Sequence, residues 1–149
     1  MSVIKAKRKE TNFLVITQAV QIRKDVVQYI LCDFALEGKL STMDKYFLED
    51  MRKTILDLVR EAFACLEMAN SIYITNMTEY EERRIWQDRA IGYYNRLKAE
   101  FEFITRGMPH KVNLNKYIRM IDMINSELGL ITRWRKSDNK IKAKLLNAQ

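Results

Sequence analysis

With 149 residues, 4 Gly and 1 Pro, the chain has the length of one domain and too few turn-forming residues for a sheet-rich fold. Its 48% hydrophobic content excludes a disordered chain, and no run approaches 18 uncharged apolar residues, so no membrane span is expected. The net charge of +7 is uneven: residues 1–10 carry +3, residues 133–149 carry +5, and the body between them sums to −1.

The opening decapeptide MSVIKAKRKE is basic, with no apolar run behind it. It is not expected to be a secretory signal, and residues 1–11 read as a basic segment ahead of the fold. A first helix is expected from about Asn12 to Leu36, with Ile16, Ala19, Val20, Val27, Ile30, Leu31 and Phe34 on its apolar stripe and Gly38 as its stop. Ser41 or Thr42 can cap a second helix, about Met43 to Ile72. Along it Leu48, Met51, Ile55, Leu58, Ala62, Cys65, Ala69 and Ile72 alternate by 3 and 4, an unbroken heptad seam.

A third helix is expected from near Thr78, where Thr78 and Glu81 have capping-box spacing. Its stripe is Trp86, Ala90, Tyr93, Leu97, Phe101 and Ile104, and Arg106, Gly107 and Pro109 end it. Asn113 can cap a fourth helix, about Leu114 to Trp134, carrying Leu114, Tyr117, Ile121, Ile124, Leu128, Ile131 and Trp134. Gly92 and Gly129 fall inside helices, where a close helix approach or tolerated drift would explain them. Residues 136–149 lose the apolar period and read as a basic, partly ordered tail.

Long helices joined by short links become antiparallel neighbours. The expected fold is all-α, an up-down-up-down antiparallel four-helix bundle over residues 12–135.

Few residues here support chemistry of the chain's own. His110 is the only histidine and lies in a loop, so the paired Glu-x-x-His motifs of a di-iron bundle cannot form. Cys32 and Cys65 lack paired zinc ligands and read as reduced thiols in a cytoplasmic core. No glycine-rich loop is present to cradle phosphate. The expectation is a protein that is not an enzyme and uses no cofactor or metal.

Binding features are better represented. Lys5, Lys7, Arg8 and Lys9 at one end, and Arg133, Arg135, Lys136 and Lys140 at the other, are the candidate nucleic-acid contacts, since Lys and Arg neutralise phosphates. Trp134 could stack on a base, but it continues the apolar seam and reads first as core. Arg83, Arg84 and Arg89 have Glu81 and Glu82 close by and read as a solvated, salt-bridged face. Tyr93 with Tyr94, and Phe101 with Phe103, make the apolar arc of the third helix wider than one stripe. That points to a homo-oligomer.

Three segments carry a family resemblance: Ser2 to Arg8, Ala69 to Asn76 followed by Glu82-Arg83-Arg84, and Leu128 to Lys136. They resemble the accessory variability determinant family of diversity-generating retroelements, four-helix bundles related in fold to proteins encoded in ribosomal-RNA intervening sequences. The resemblance implies a homopentameric barrel that binds a reverse transcriptase and template RNA or cDNA and supports mutagenic cDNA synthesis, the polymerase supplying the chemistry. Members of that family carry cations along the bundle, whereas the neutral body of this chain shifts the burden to its ends. Without a polymerase partner, the same features fit a nucleic-acid-binding bundle of the intervening-sequence type. With solvated ends, they fit a structural oligomerisation module.

Overall fold

The computed structural model describes residues 2–32, 34 and 39–148, with the side chains of residues 2–13, 31 and 32 left aside. The helices are α1 (Ser2–Cys32), α2 (Thr42–Ser71), α3 (Met77–Gly107) and α4 (Leu114–Asn147). Each packs on two others in a closed ring: α1 on α2 and α4, and α3 on α2 and α4. Among the described residues no backbone contact crosses a diagonal. The expected four-helix bundle is thus the observed fold.

The helix ends differ from expectation at both termini. α1 starts at Ser2 rather than near Asn12, and α4 runs on to Asn147 rather than stopping at Trp134. The segments read as a basic lead and a basic tail, residues 1–11 and 136–149, are therefore largely helical. Lys and Arg are good helix formers and need no apolar period to continue a helix that packing has already started. At its other end α1 is described to Cys32, and the expected end at Leu36 and stop at Gly38 lie outside the described residues.

The α2 seam is as expected. Leu48, Met51, Ile55, Leu58, Ala62, Cys65 and Ala69 are buried, joined by Val59 and Leu66. On α1 the seam is rotated to Val15, Ala19, Ile22, Val26 and Ile30, leaving Val20 exposed and Val27 half-buried. On α3 the core positions are Arg83, Gln87, Ala90, Tyr94, Leu97, Phe101 and Ile104, while Trp86 and Tyr93 only flank the core. On α4 they are Tyr117, Met120, Ile124, Glu127, Ile131, Trp134 and Asp138, so Met120 and Glu127 hold places expected for Ile121 and Leu128. Fully burying each large aliphatic or aromatic side chain contributes about 1.5–3 kcal/mol, which fixes the register of the ring. The polar residues are carried on seams set by these neighbours.

Local capping positions each helix. Ser41 caps α2 in a capping box with Asp44, each side chain meeting the other's backbone N–H at 3.1 Å. Asn76, not Thr78, caps α3 by accepting from the Glu79 N–H at 2.9 Å, and Glu79 reaches back to the Thr75 N–H and hydroxyl. Asn113 caps α4 as expected. In the first connection Phe34 adopts the left-handed region at φ 55, with its side chain buried. Its carbonyl accepts from the Tyr117 hydroxyl at 2.7 Å, which ties α4 to the end of α1. A Cβ added at Gly92 or Gly129 meets nothing within 4 Å, so close helix approach does not explain either glycine.

Candidate nucleic-acid interface

The antiparallel pairing of α1 with α4 is read from Gln18, which donates to the Met123 carbonyl at 3.0 Å, and from Tyr117 on Phe34. It directs the start of α1 and the end of α4 to the same pole of the bundle. The two basic stretches that lie at opposite ends of the sequence thus converge. Lys5, Lys7, Arg8 and Lys9 fall in the first turns of α1, with side chains outside the described set. Arg133, Lys136 and Lys140 are exposed on α4, and with Lys144 they recur at spacings of 3, 4 and 4, one outward stripe. Arg135 is turned aside: its Nη2 pairs with Asp88 of α3 at 2.9 Å.

Under this surface lies a buried polar layer. Arg83 Nη1 donates to Asp138 Oδ1 at 2.9 Å, and the Arg83 Nε donates to the Ile72 carbonyl at 3.1 Å, at the C-cap of α2. Gln87 Nε2 donates to the other Asp138 oxygen at 3.0 Å, and the Arg83 guanidinium lies 5.6 Å from the centre of the Trp134 ring. Burial raises the Asp138 carboxyl above its ordinary range, with Arg83 and the Gln87 hydrogen bond offsetting part of the rise. Arg83 is therefore not on a solvated face, which corrects the sequence reading. Trp134 is core, as expected.

A second layer covers the first. Asn139 Oδ1 accepts from the Tyr80 hydroxyl at 2.8 Å and also from Arg84, whose Nη2 donates to the Tyr80 oxygen at 2.9 Å. The Arg84 guanidinium and the Lys142 ammonium lie 5.7 and 5.5 Å from the centre of the Tyr80 ring. Among the described residues neither cation forms an ion pair, and the Arg84 charge adds to that of Arg83 in lowering the Asp138 carboxyl. Sequence reasoning missed Tyr80, Asn139 and Lys142 as site residues. A weak signal was present: Ile141 and Leu145 stand 7 and 11 residues beyond Trp134, so the apolar period resumes past the polar Asp138.

Elsewhere the core holds a second polar pair. Glu127 is 0% exposed with both carboxylate oxygens unpartnered, and the Tyr94 hydroxyl is likewise buried and unpartnered. Burial pushes the Glu127 carboxyl up to about 8. The Tyr94 hydroxyl is raised too, by burial first and by Glu127 second. Cys65 is buried, and desolvation, with the Glu61 charge second, raises its thiol. His110 is exposed in the loop before α4. Among the described residues no three of His, Cys, Asp and Glu converge as a metal-holding group, and no helix is long and apolar enough to cross a membrane.

Apolar side chains remain uncovered on the single chain. Ile85 and Phe103 on α3 are 49% and 54% exposed, and Phe103 leans on Phe47 with ring centres 5.5 Å apart. Between α1 and α2, Val20, Val27 and Phe63 line an open groove, with Arg23 over the Phe63 ring at 5.2 Å. No protein-family model, no curated protein and no solved structure matches the chain.

Proposed function

We propose that the protein is a nucleic-acid-binding accessory subunit, with no catalysis of its own, that presents RNA or cDNA to the reverse transcriptase of a diversity-generating retroelement. The observation that carries this reading is the convergence of the two basic stretches on one pole, above a body whose net charge is close to zero. Cations gathered on one rigid pole release counterions together when they meet a phosphate chain, so binding is tight at low salt and steeply salt-dependent. The polymerase partner comes from the family resemblance in three segments of the chain. Self-assembly, with the pentamer implied by the same resemblance, is supported by the exposed Ile85 and Phe103 and the open groove at Val20.

The test pairs this protein with a reverse transcriptase encoded beside it. The two should co-purify, and the protein should permit or reshape template-primed cDNA synthesis while synthesising nothing alone. Full synthesis by the polymerase without it overturns the accessory role. Neutralising Lys5, Lys7, Arg8, Lys9, Arg133, Arg135, Lys136 and Lys140 should weaken RNA binding and flatten its salt dependence. Unchanged titrations would move the contacts to the body. Light scattering that returns a mass near 17.7 kDa at micromolar concentration overturns the oligomer.

A further inference from the structure

Beyond Asp138 no residue of α4 is fully buried: Ile141, Lys142 and Leu145 are half-covered and the others are exposed. A helix end with so little apolar contact frays unless something ties it down. The tie is Asp138, the one acidic residue in the basic run 133–149. Its carboxylate faces inward, where Arg83 joins it to the Ile72 carbonyl at the end of α2. One pair thus fixes the ends of α2 and α4 to the start of α3.

The next residue on each helix belongs to the outer layer. Arg84 follows Arg83, and Asn139 follows Asp138. Asn139 holds Arg84 and Tyr80 by hydrogen bonds, and Lys142 lies over the same ring. Arg84 and Lys142 are thus both held at the Tyr80 ring, half-exposed; among the described residues neither forms an ion pair, although the Arg84 charge helps to lower the Asp138 carboxyl beneath. Tyr80 is 5% exposed beneath them, so its ring cannot stack on a base. What the cluster offers is oriented N–H donors, and these fit a phosphate oxygen.

We propose that the Arg83–Asp138 pair is a positioning device that holds Arg84 and Lys142 as a fixed phosphate contact, blind to base identity, at the basic pole. This rests on the nucleic-acid reading above and adds to it residues of the bundle body that the terminal charges do not include. It also gives the acidic residue of the tail a role opposite to its charge. As a free charge Asp138 would repel a polyanion, whereas as an anchor it strengthens binding.

That opposition makes the test. The probe is a fluorescent 20-nucleotide oligouridylate titrated against the full chain across a salt series, with circular dichroism of every variant. Arg84→Gln and Lys142→Gln should keep wild-type helicity, bind more weakly, and each lower the salt slope by about 0.7, the value for one lost single-strand phosphate contact. Asp138→Asn adds one positive charge yet should bind more weakly, again with a lower slope. The same variants titrated with an oligoadenylate should show the same losses.

Folded Asp138→Asn that binds as tightly as wild type, or more tightly, overturns the positioning role. If that variant loses its fold, the two surface variants decide, and unchanged slopes in both overturn the phosphate contact. Losses that differ between the two homopolymers overturn its blindness to bases. A wild-type chain that binds neither probe at the lowest salt overturns the nucleic-acid reading itself, and the contact with it.

Discussion

Arg83 and Asp138 stand 55 positions apart in the chain and 2.9 Å apart in the fold, and both are buried. A buried ion pair contributes little net stability against an apolar replacement, because two charges have been taken out of water. Removing one partner is different, since it strands the other charge. Arg83→Met should therefore cost about 3–5 kcal/mol in urea unfolding, and Arg83→Met with Asp138→Leu should recover most of that loss. A double variant as unstable as the single would show that the pair does more than satisfy its own charges.

Glu127 gives a pH dependence with a defined sign. Its carboxyl titrates at about 8 in the fold, against 4.5 ordinarily, because burial disfavours the charged form. Below 4.5 the folded and unfolded chains both hold the proton, and this residue adds no pH slope. Between 4.5 and about 8 only the folded chain keeps it, so stability falls as pH rises, by about 1.4 kcal/mol per unit for this group. Above about 8 the loss is complete. Glu127→Gln removes the titration, so its advantage over wild type should be small near pH 4.5 and grow to a few kcal/mol by pH 7.5. Chemical denaturation of both proteins across that range measures it, and a constant difference would refute it.

Asp44 behaves in the opposite sense. Hydrogen bonds from Lys111 first, and then from the Ser41 backbone and side chain, hold its carboxyl at about 2 against 3.8. The contribution of this group is present above 3.8 and is lost as pH falls through about 2. Lys111→Met should move the Asp44 titration up toward its ordinary value, as read by carbonyl chemical shift. A titration still near 2 would mean that the capping box alone holds it.

Gly92 and Gly129 sit in helix interiors with open space where a Cβ would be. Each Gly→Ala change removes backbone freedom from the unfolded chain at no steric cost. Each should stabilise by about 0.5–1 kcal/mol, or roughly 1–4 °C in Tm for a chain of this size. A fall in Tm at either position would point to a neighbour that the single chain does not contain.

These contrasts show which parts of the molecule its sequence reveals. The seam from Leu48 to Ala69 is legible because every core position there is apolar. The seams of α3 and α4 are misread where Arg83, Gln87, Glu127 and Asp138 take core positions, since a hydrophobic pattern skips polar residues and settles on the neighbouring stripe. The same residues hid the inner layer of the candidate interface. Arg83 looks like any surface cation until Asp138 is known to face it. The basic ends are plain in the sequence, but their convergence depends on the antiparallel closure of α1 on α4.

The Tyr117 hydroxyl that meets the Phe34 carbonyl spans 83 positions, and it bears on the order in which the molecule assembles. α2 and α3 are joined by a short turn and can close on each other early, since near contacts cost little loop entropy. The left-handed conformation of Phe34 costs about 1–2 kcal/mol, and it is held locally by its N–H on the Tyr29 carbonyl at 2.6 Å and from the last helix by Tyr117. Only the Tyr117 part of that support waits for α4, because it forms when α4 closes the ring against α1. The basic stretches of α1 and α4 share one pole only through that closure, since they lie at opposite ends of the chain. The concentration of positive charge at that pole is thus a property of the closed ring, which neither end of the chain has alone.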